Sequence, residues 1–231
     1  MEQVLARMAA VTSESPYGYV VTPNVDHVVQ LDTAPDRLAL RRVFAQATLS
    51  VCDSRVLNRL GRLRRVALPV VPGSDLTVRL FDETVQPGDL IAVVGGDSAL
   101  VTELQRRFPQ VLFAHHRPPM GLRHDGEARS VAAAFVARTK ARFTLLAIGS
   151  PQQELVAAEV RNWPEAVGMA LCIGASLEFI TGRQRRAPKA MQRLSLEWAF
   201  RLFSNPRRLW RRYLVEGPHV FRMALRERRR G

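Results

Sequence analysis

The sequence predicts an α/β fold, a Rossmann-like and mostly parallel sheet with helices on both faces, extended by a C-terminal helical appendage. Three observations carry that prediction. Short apolar runs ending in small or polar residues alternate with segments of helical period, the rhythm of repeated βα units. With 231 residues, 47% of them hydrophobic, the chain holds enough apolar material for one full core. From Ala187 onward the strand-like runs stop, and helix-forming segments broken by Asn205-Pro206 and Gly217-Pro218 take over.

Six runs read as strands: Tyr19–Thr22, Thr48–Cys52, Leu90–Val94, Val111–His115, Thr144–Ile148 and Gly168–Ile173. Between them Asp36–Ala47, Ser74–Val85, Ser98–Phe108, Glu127–Lys140 and Pro151–Asn162 read as helices. Asp97 is a cap for the third, Ser74-Asp75 opens the second, and Ser150 with a proline at the first helical position opens the last. No internal repeat or low-complexity tract is visible.

Charge divides the chain more sharply than texture does. Lys and Arg exceed Asp and Glu by 13, and residues 183–231 hold 15 basic against 3 acidic residues, whereas residues 1–182 are nearly balanced at 19 against 18. This excludes a basic field spread over the whole body and points to a tail with its own anionic partner. Only Lys140 and Lys189 are lysines, so the tail is almost purely arginine, the side chain suited to bidentate phosphate contact. Two cysteines, Cys52 and Cys172, in apolar runs read as reduced thiols and exclude a disulfide framework or zinc site. Residues 1–16 lack the apolar stretch of a signal peptide, and the longest uncharged apolar run, Ala166–Leu177, falls short of the ~20 residues of a spanning helix. The expectation is a chain that is cytoplasmic or peripheral to a membrane.

In open α/β sheets the ligand lies beyond the carboxyl ends of the strands, so the polar residues there are the candidates. Thr22 and Asn24 follow the first strand, where Thr22 reads equally as a helix cap before Pro23. Asp53 follows the second, again either a cap or a carboxylate delivered to a ligand. Gly73, Ser74 and Asp75 form a tight turn into a helix N-terminus, and Gly95-Gly96 after the third strand allows close backbone approach without a GxGxxG fingerprint. Gly149, Ser150, Gln152, Gln153 and Glu154 make a flexible exit with three polar side chains in the first helical turn, and Gly174 opens the exit of the sixth strand. No GxSxG, HExxH or Walker A sequence is present, and His115-His116 lacks a helical metal-ligand spacing, so no metal or cofactor is expected.

Taken in order, TPNVDH (Thr22–His27), the strand-end Asp53, PGSDL (Pro72–Leu76), VVGG (Val93–Gly96), PPMG (Pro118–Gly121), GSPQQE (Gly149–Glu154), IGASLEFITG (Ile173–Gly182) and the long block Arg185–Tyr213 resemble the WecG/TagA/CpsF family of bacterial glycosyltransferases. The resemblance runs from about residue 18 to residue 216. It implies inverting, metal-independent transfer of a sugar, N-acetylmannosamine-like or another hexose, from a UDP-sugar to a polyprenyl-diphosphate-linked sugar in surface polysaccharide synthesis. The polymer would be an exopolysaccharide, a teichoic acid or an enterobacterial antigen. It also implies that Asp53 is the general base and that Thr22 and Asn24 belong to the catalytic set. Two departures stand out: Cys52-Asp53-Ser54 replaces the family's Pro-Asp-Gly, and Val70 stands where many relatives carry an arginine, which suggests a different donor or acceptor sugar.

The organisation expected is a catalytic domain over 1–182 and an arginine-rich appendage over 183–231. In the appendage, Arg201, Arg207, Arg208, Arg211 and Arg212 alternate with Trp, Tyr and Leu, the composition of a helix lying on an anionic membrane, while Arg185 and Arg186 are placed to close over a lipid diphosphate. A solvated charged face is the plainer alternative. A nucleic-acid-binding protein using the same tail, or an inactive nucleotide-sugar-binding homologue, are the competing functions. Nucleic acid is not the expected partner, since it leaves the strand-end motifs without a purpose, and self-association is left open.

Overall fold

The computed structural model describes residues 1–184, 187–188, 191, 194 and 196–228, the side chains of 201, 208, 212, 227 and 228 excepted. Its body is the expected parallel sheet. The strands are β1 (Gly18–Val21), β2 (Leu49–Ser50), β3 (Leu90–Gly95), β4 (Leu112–His116), β5 (Phe143–Ala147) and β6 (Met169–Cys172), in the order β2-β1-β6-β5-β3-β4, and every adjacent pair is parallel.

Alternation along the central strands explains why both faces are covered. Val20, Val93, Leu145 and Leu171 pack on one side, where they meet α1 (Glu2–Ala9), α5 (Gly73–Glu83), α6 (Ser98–Arg107) and α9 (Ser176–Ile180). Tyr19, Val21, Val94, Leu146 and Ala170 point to the other, against α7 (Gly126–Thr139) and α8 (Gln152–Val160). Two layers of helix therefore remove both faces of the sheet from water, which only a near-continuous apolar strand sequence permits.

Four body helices escape the pattern reading: α1, α2 (Val25–Thr33), α4 (Arg55–Leu63) and α9. Thr22 is not a helix cap, since Asn24 caps α2 and Pro23 stays outside it. Asp53 is not a cap either, because Ser54 takes that place on α4, its hydroxyl accepting from Leu57 N–H (3.2 Å). Ser150 likewise stays outside α8, whose cap position Pro151 occupies without a side-chain bond. Gly149, at φ 77°, has already turned the chain, so the first helical bond runs from Gln153 N–H to Gly149 O (3.0 Å). In the same way α5 starts at Gly73, one residue earlier than expected, and Asp97 caps α6 as expected (Leu100 N–H to Oδ1, 2.7 Å).

The C-terminal segment is helical: α10 (Glu197–Ser204), α11 (Pro206–Trp210), a π-helical turn (Arg211–Glu216) and α12 (His219–Arg228). It docks on α2 and the end of α4. His219 Nε2 lies 3.0 Å from Asp32 Oδ2, Arg64 donates to Ala224 O, and Leu209 and Val220 are buried. No helix among the described residues is long and apolar enough to cross a membrane.

Candidate active site

All six strands run the same way, so their carboxyl ends share one edge. Along it the β1 and β2 exits are knitted together by main-chain bonds. Asp53 N–H donates to Pro23 O (2.8 Å), and Val71 N–H donates to Cys52 O (2.8 Å), so the carboxylate-bearing residue is held between the β1 exit and residues 70–71. Val70, the position of the departure from the family pattern, pairs with Cys52 and thus stands beside the Asp53 exit.

Thr22 is buried, and its hydroxyl donates to Cys172 O at the end of β6 (3.0 Å). The first turn of α5 comes close to both residues. A Cβ at Gly73 would stand 3.4 Å from Thr22 Oγ1 and 3.6 Å from Asp53 Oδ2. Ser74 is buried in the same turn and Asp75 is partly exposed. Asn24 spends its carbonyl on its cap, accepting from Asp26 N–H (3.0 Å) and His27 N–H (3.5 Å).

Asn24, Asp53 and Ser54 form one wall of a cleft of about 410 Å³. The opposite wall comes from the C-terminal helices, with Trp198, Tyr213, Leu214 and Phe221. The Trp198 and Tyr213 rings lie 6.1 Å apart, tilted by 52°. Asp26, Arg55 and Glu197 line the same cleft, so charged groups and an aromatic and aliphatic surface share it, an arrangement that fits a ligand with one polar and one apolar part.

The other candidates lie further along the edge. Gln153 and Glu154 are buried: Gln153 Oε1 accepts from Gly174 N–H (2.9 Å), and its amide donates to Glu154 Oε1 (2.8 Å). Both side chains are therefore engaged within the protein, in support of the β6 exit. Gln152, Ser150 and Gly149 remain partly accessible, and Gly96 is exposed. Gly95, at φ 101°, accommodates the β5 exit so closely that a Cβ would stand 2.7 Å from Ala147 O. At ~4.8 Å per strand, four steps from β2 to β3 separate the Asp53 exit from the Gly95 exit by roughly 19 Å.

Two contacts were not legible in the sequence. Arg183, the first arginine of the basic segment, pairs with Asp97 at the β3 exit (2.8 Å); the Leu100 N–H first and then this guanidinium hold the Asp97 carboxyl below the usual range. His27 Nε2 faces Glu154 Oε1 at 3.5 Å in the interior. Neither pair leaves a spacing signal, since each joins segments more than 80 residues apart. Arg207 and Arg211 are exposed, while Arg185 and Arg186 lie outside the described residues, as do the side chains of Arg201, Arg208 and Arg212. Among the described residues no three His, Cys, Asp or Glu cluster as a metal set would.

A family model, Glycosyl transferase WecG/TagA/CpsF family, matches residues 1–231, the full length of the chain.

Proposed function

From the premise that this chain belongs to the WecG/TagA/CpsF family of glycosyltransferases, we propose that Asp53 is the general base of an inverting transfer from a UDP-sugar to a polyprenyl-diphosphate-linked sugar. The coarser statement follows from the family alone: the protein is a glycosyltransferase of cell-surface polysaccharide biosynthesis, with a nucleotide-sugar donor and a lipid-linked acceptor. The observation that carries the finer reading is the cleft, with Asp53 on one wall and Trp198, Tyr213, Leu214 and Phe221 on the other.

In this reading the acceptor hydroxyl enters beside Asp53 and gives its proton to the carboxylate as its oxygen bonds to the anomeric carbon. The bond from that carbon to the UDP oxygen breaks on the opposite face, which inverts the configuration. Charge then grows on the departing diphosphate. Main-chain N–H groups in the first turns of α5 and α8, near Gly73–Asp75 and Gly149–Gln152, are the donors available to meet it, and the reaction needs no metal. Thr22 acts through position, tying the β1 exit to β6 and keeping Asp53 beside Gly73. Gln153 and Glu154 support the Gly174 turn and do not touch the donor.

The tail supplies the location. Phe203, Trp210, Val215 and Leu225 are exposed on the helical segment that also carries Arg207, Arg211 and Arg222, an apolar and cationic surface suited to the anionic inner face of a membrane. Arg185 and Arg186 are proposed to reach the acceptor diphosphate. A panel of UDP-sugars assayed with a short-chain polyprenyl-diphosphate sugar tests the reading: UDP release that depends on the acceptor supports it, and release that ignores the acceptor, or none with any donor, refutes it.

A further inference from the structure

Buried beneath the strand ends lies a pair of ionisable side chains that the reaction outlined above does not use. Glu154 is 0% exposed and His27 5%. The His27 ring is fixed from two sides: Nδ1 accepts from Asn24 N–H (3.1 Å), and the ring meets Phe44 edge-on with centroids 5.7 Å apart. Because Nδ1 is an acceptor, the proton of the ring sits on Nε2, the atom that faces Glu154 Oε1 at 3.5 Å. Gln153 donates to the same oxygen and accepts from Gly174 N–H, while His27 Nε2 and Glu154 Oε2 make no hydrogen bond among the described residues, so that the two side chains meet as a close ionisable pair.

A carboxylate removed from water is costly even when paired, and well-packed apolar side chains of similar size are commonly as stabilising or more so. A buried pair at this point is therefore a poor device for stability. It is a good device for registration, because each member is held by a hydrogen bond on its outer side, His27 by Asn24 N–H and Glu154 by the Gln153 amide, which fixes orientation as well as distance. One line of contacts runs from Asn24 N–H through His27, across the 3.5 Å approach of Nε2 to Glu154 Oε1, and on through Gln153 to Gly174 N–H, joining the exits of β1, β5 and β6. Pro23, within the β1 exit, holds Asp53 N–H, so the path ends one residue from the main-chain anchor of the base.

We propose that His27 and Glu154 are positioning residues that lock the Asn24 turn, and with it Asp53, in register with the β5 and β6 exits. This rests on the glycosyltransferase reading for its consequence in rate. An error of about 1 Å in placement costs on the order of a hundredfold when reacting groups must meet in line, so loosening the register lowers turnover more than it weakens binding.

The test uses the full chain and isosteric changes. His27→Asn keeps an acceptor for Asn24 N–H but has nothing at the Nε2 position; His27→Gln keeps a donor towards Glu154; Glu154→Gln keeps size and the Gln153 contact but removes the charge. The expected result is a fall in kcat of at least about tenfold for His27→Asn and Glu154→Gln with donor KM within about twofold, partial recovery in His27→Gln, and a double variant no slower than the worse single one. Wild-type kcat in Glu154→Gln, or losses that multiply in the double variant, overturns the proposal. Glu154→Gln carries the test should His27→Asn not fold. Nitrogen-15 spectroscopy of the unliganded protein gives a readout that needs no substrate: a neutral ring protonated on Nε2 supports the pair, and a proton on Nδ1 contradicts it. An enzyme that turns over no UDP-sugar yet shows this tautomer would refute the proposed function and leave the pair standing.

Discussion

The α/β body and the C-terminal helices are built on opposite principles. In the body the large apolar side chains of β1, β5 and β6, and those of β3 after Leu90, are buried between two helical layers, and the charge is nearly balanced. In the tail Leu209 and Val220 anchor the chain, whereas Phe203 and Leu225 remain 81% and 60% exposed among arginines. A segment that evolved to complete the core would bury those residues. The difference teaches that the body is arranged around its own strand ends, while the tail has an unspent apolar and cationic face and touches the body chiefly over α2 and α4.

The comparison breaks most visibly at Asp53. Asp53→Asn keeps the shape of the cleft and removes the proposed base, so kcat is expected to fall by about a hundredfold to ten thousandfold with nucleotide binding retained, as calorimetry and initial rates would show. Removing residues from Asn205 onward should leave the sheet folded, detach the protein from anionic vesicles in a sedimentation assay, and, because Tyr213, Leu214 and Phe221 leave the cleft with it, lower the rate on short- and long-chain acceptors alike; retained vesicle binding would place the membrane contact elsewhere.

Smaller effects sharpen the same division. Thr22→Val deletes the bond to Cys172 O inside the body, which costs about 1 kcal/mol, or roughly 2–4 °C in Tm for a chain of this size. The tail has a different sensitivity. Asp32 is held below its ordinary pKa by its hydrogen bond with His219 first, with Arg41 and Arg226 nearby. A depressed carboxyl stabilises above its unfolded pKa of ~3.9 and loses that contribution as pH falls through the lower folded value. Docking of α12 should therefore loosen only in strong acid, and Asp32→Asn should flatten that part of a proteolysis profile at the tail.

These tests also show which features the sequence pattern could carry. All six strands were legible because each is a short apolar run with a small or polar exit, and Asp97 was legible because a cap acts within three residues. The helices without a clear apolar period have other signals: α2 is capped by Asn24 together with His27, and α4 is an arginine-rich segment capped by Ser54, directly after the strand-end Asp53. Asp53 and Gly73 could be named from their positions at strand and helix ends. Their contact could not, nor could the closing of the cleft by Trp198 and Tyr213, because those depend on how segments separated by 20 to 160 residues fold onto one edge. Gln153 and Glu154 read as ligand contacts since polar residues in a first turn point outward on average; here Gly174 and His27 draw them in.

The division of labour between body and tail is tested most directly by two acceptors and one variant. Wild type and Arg207→Ser/Arg211→Ser would be assayed on a short-chain acceptor in solution and on a long-chain acceptor in anionic vesicles. Each basic residue near the surface contributes ~1 kcal/mol, about fivefold in partitioning. The account predicts wild-type rates on the soluble acceptor and a loss of about twentyfold or more at subsaturating vesicle concentration; an equal loss on both acceptors would contradict it.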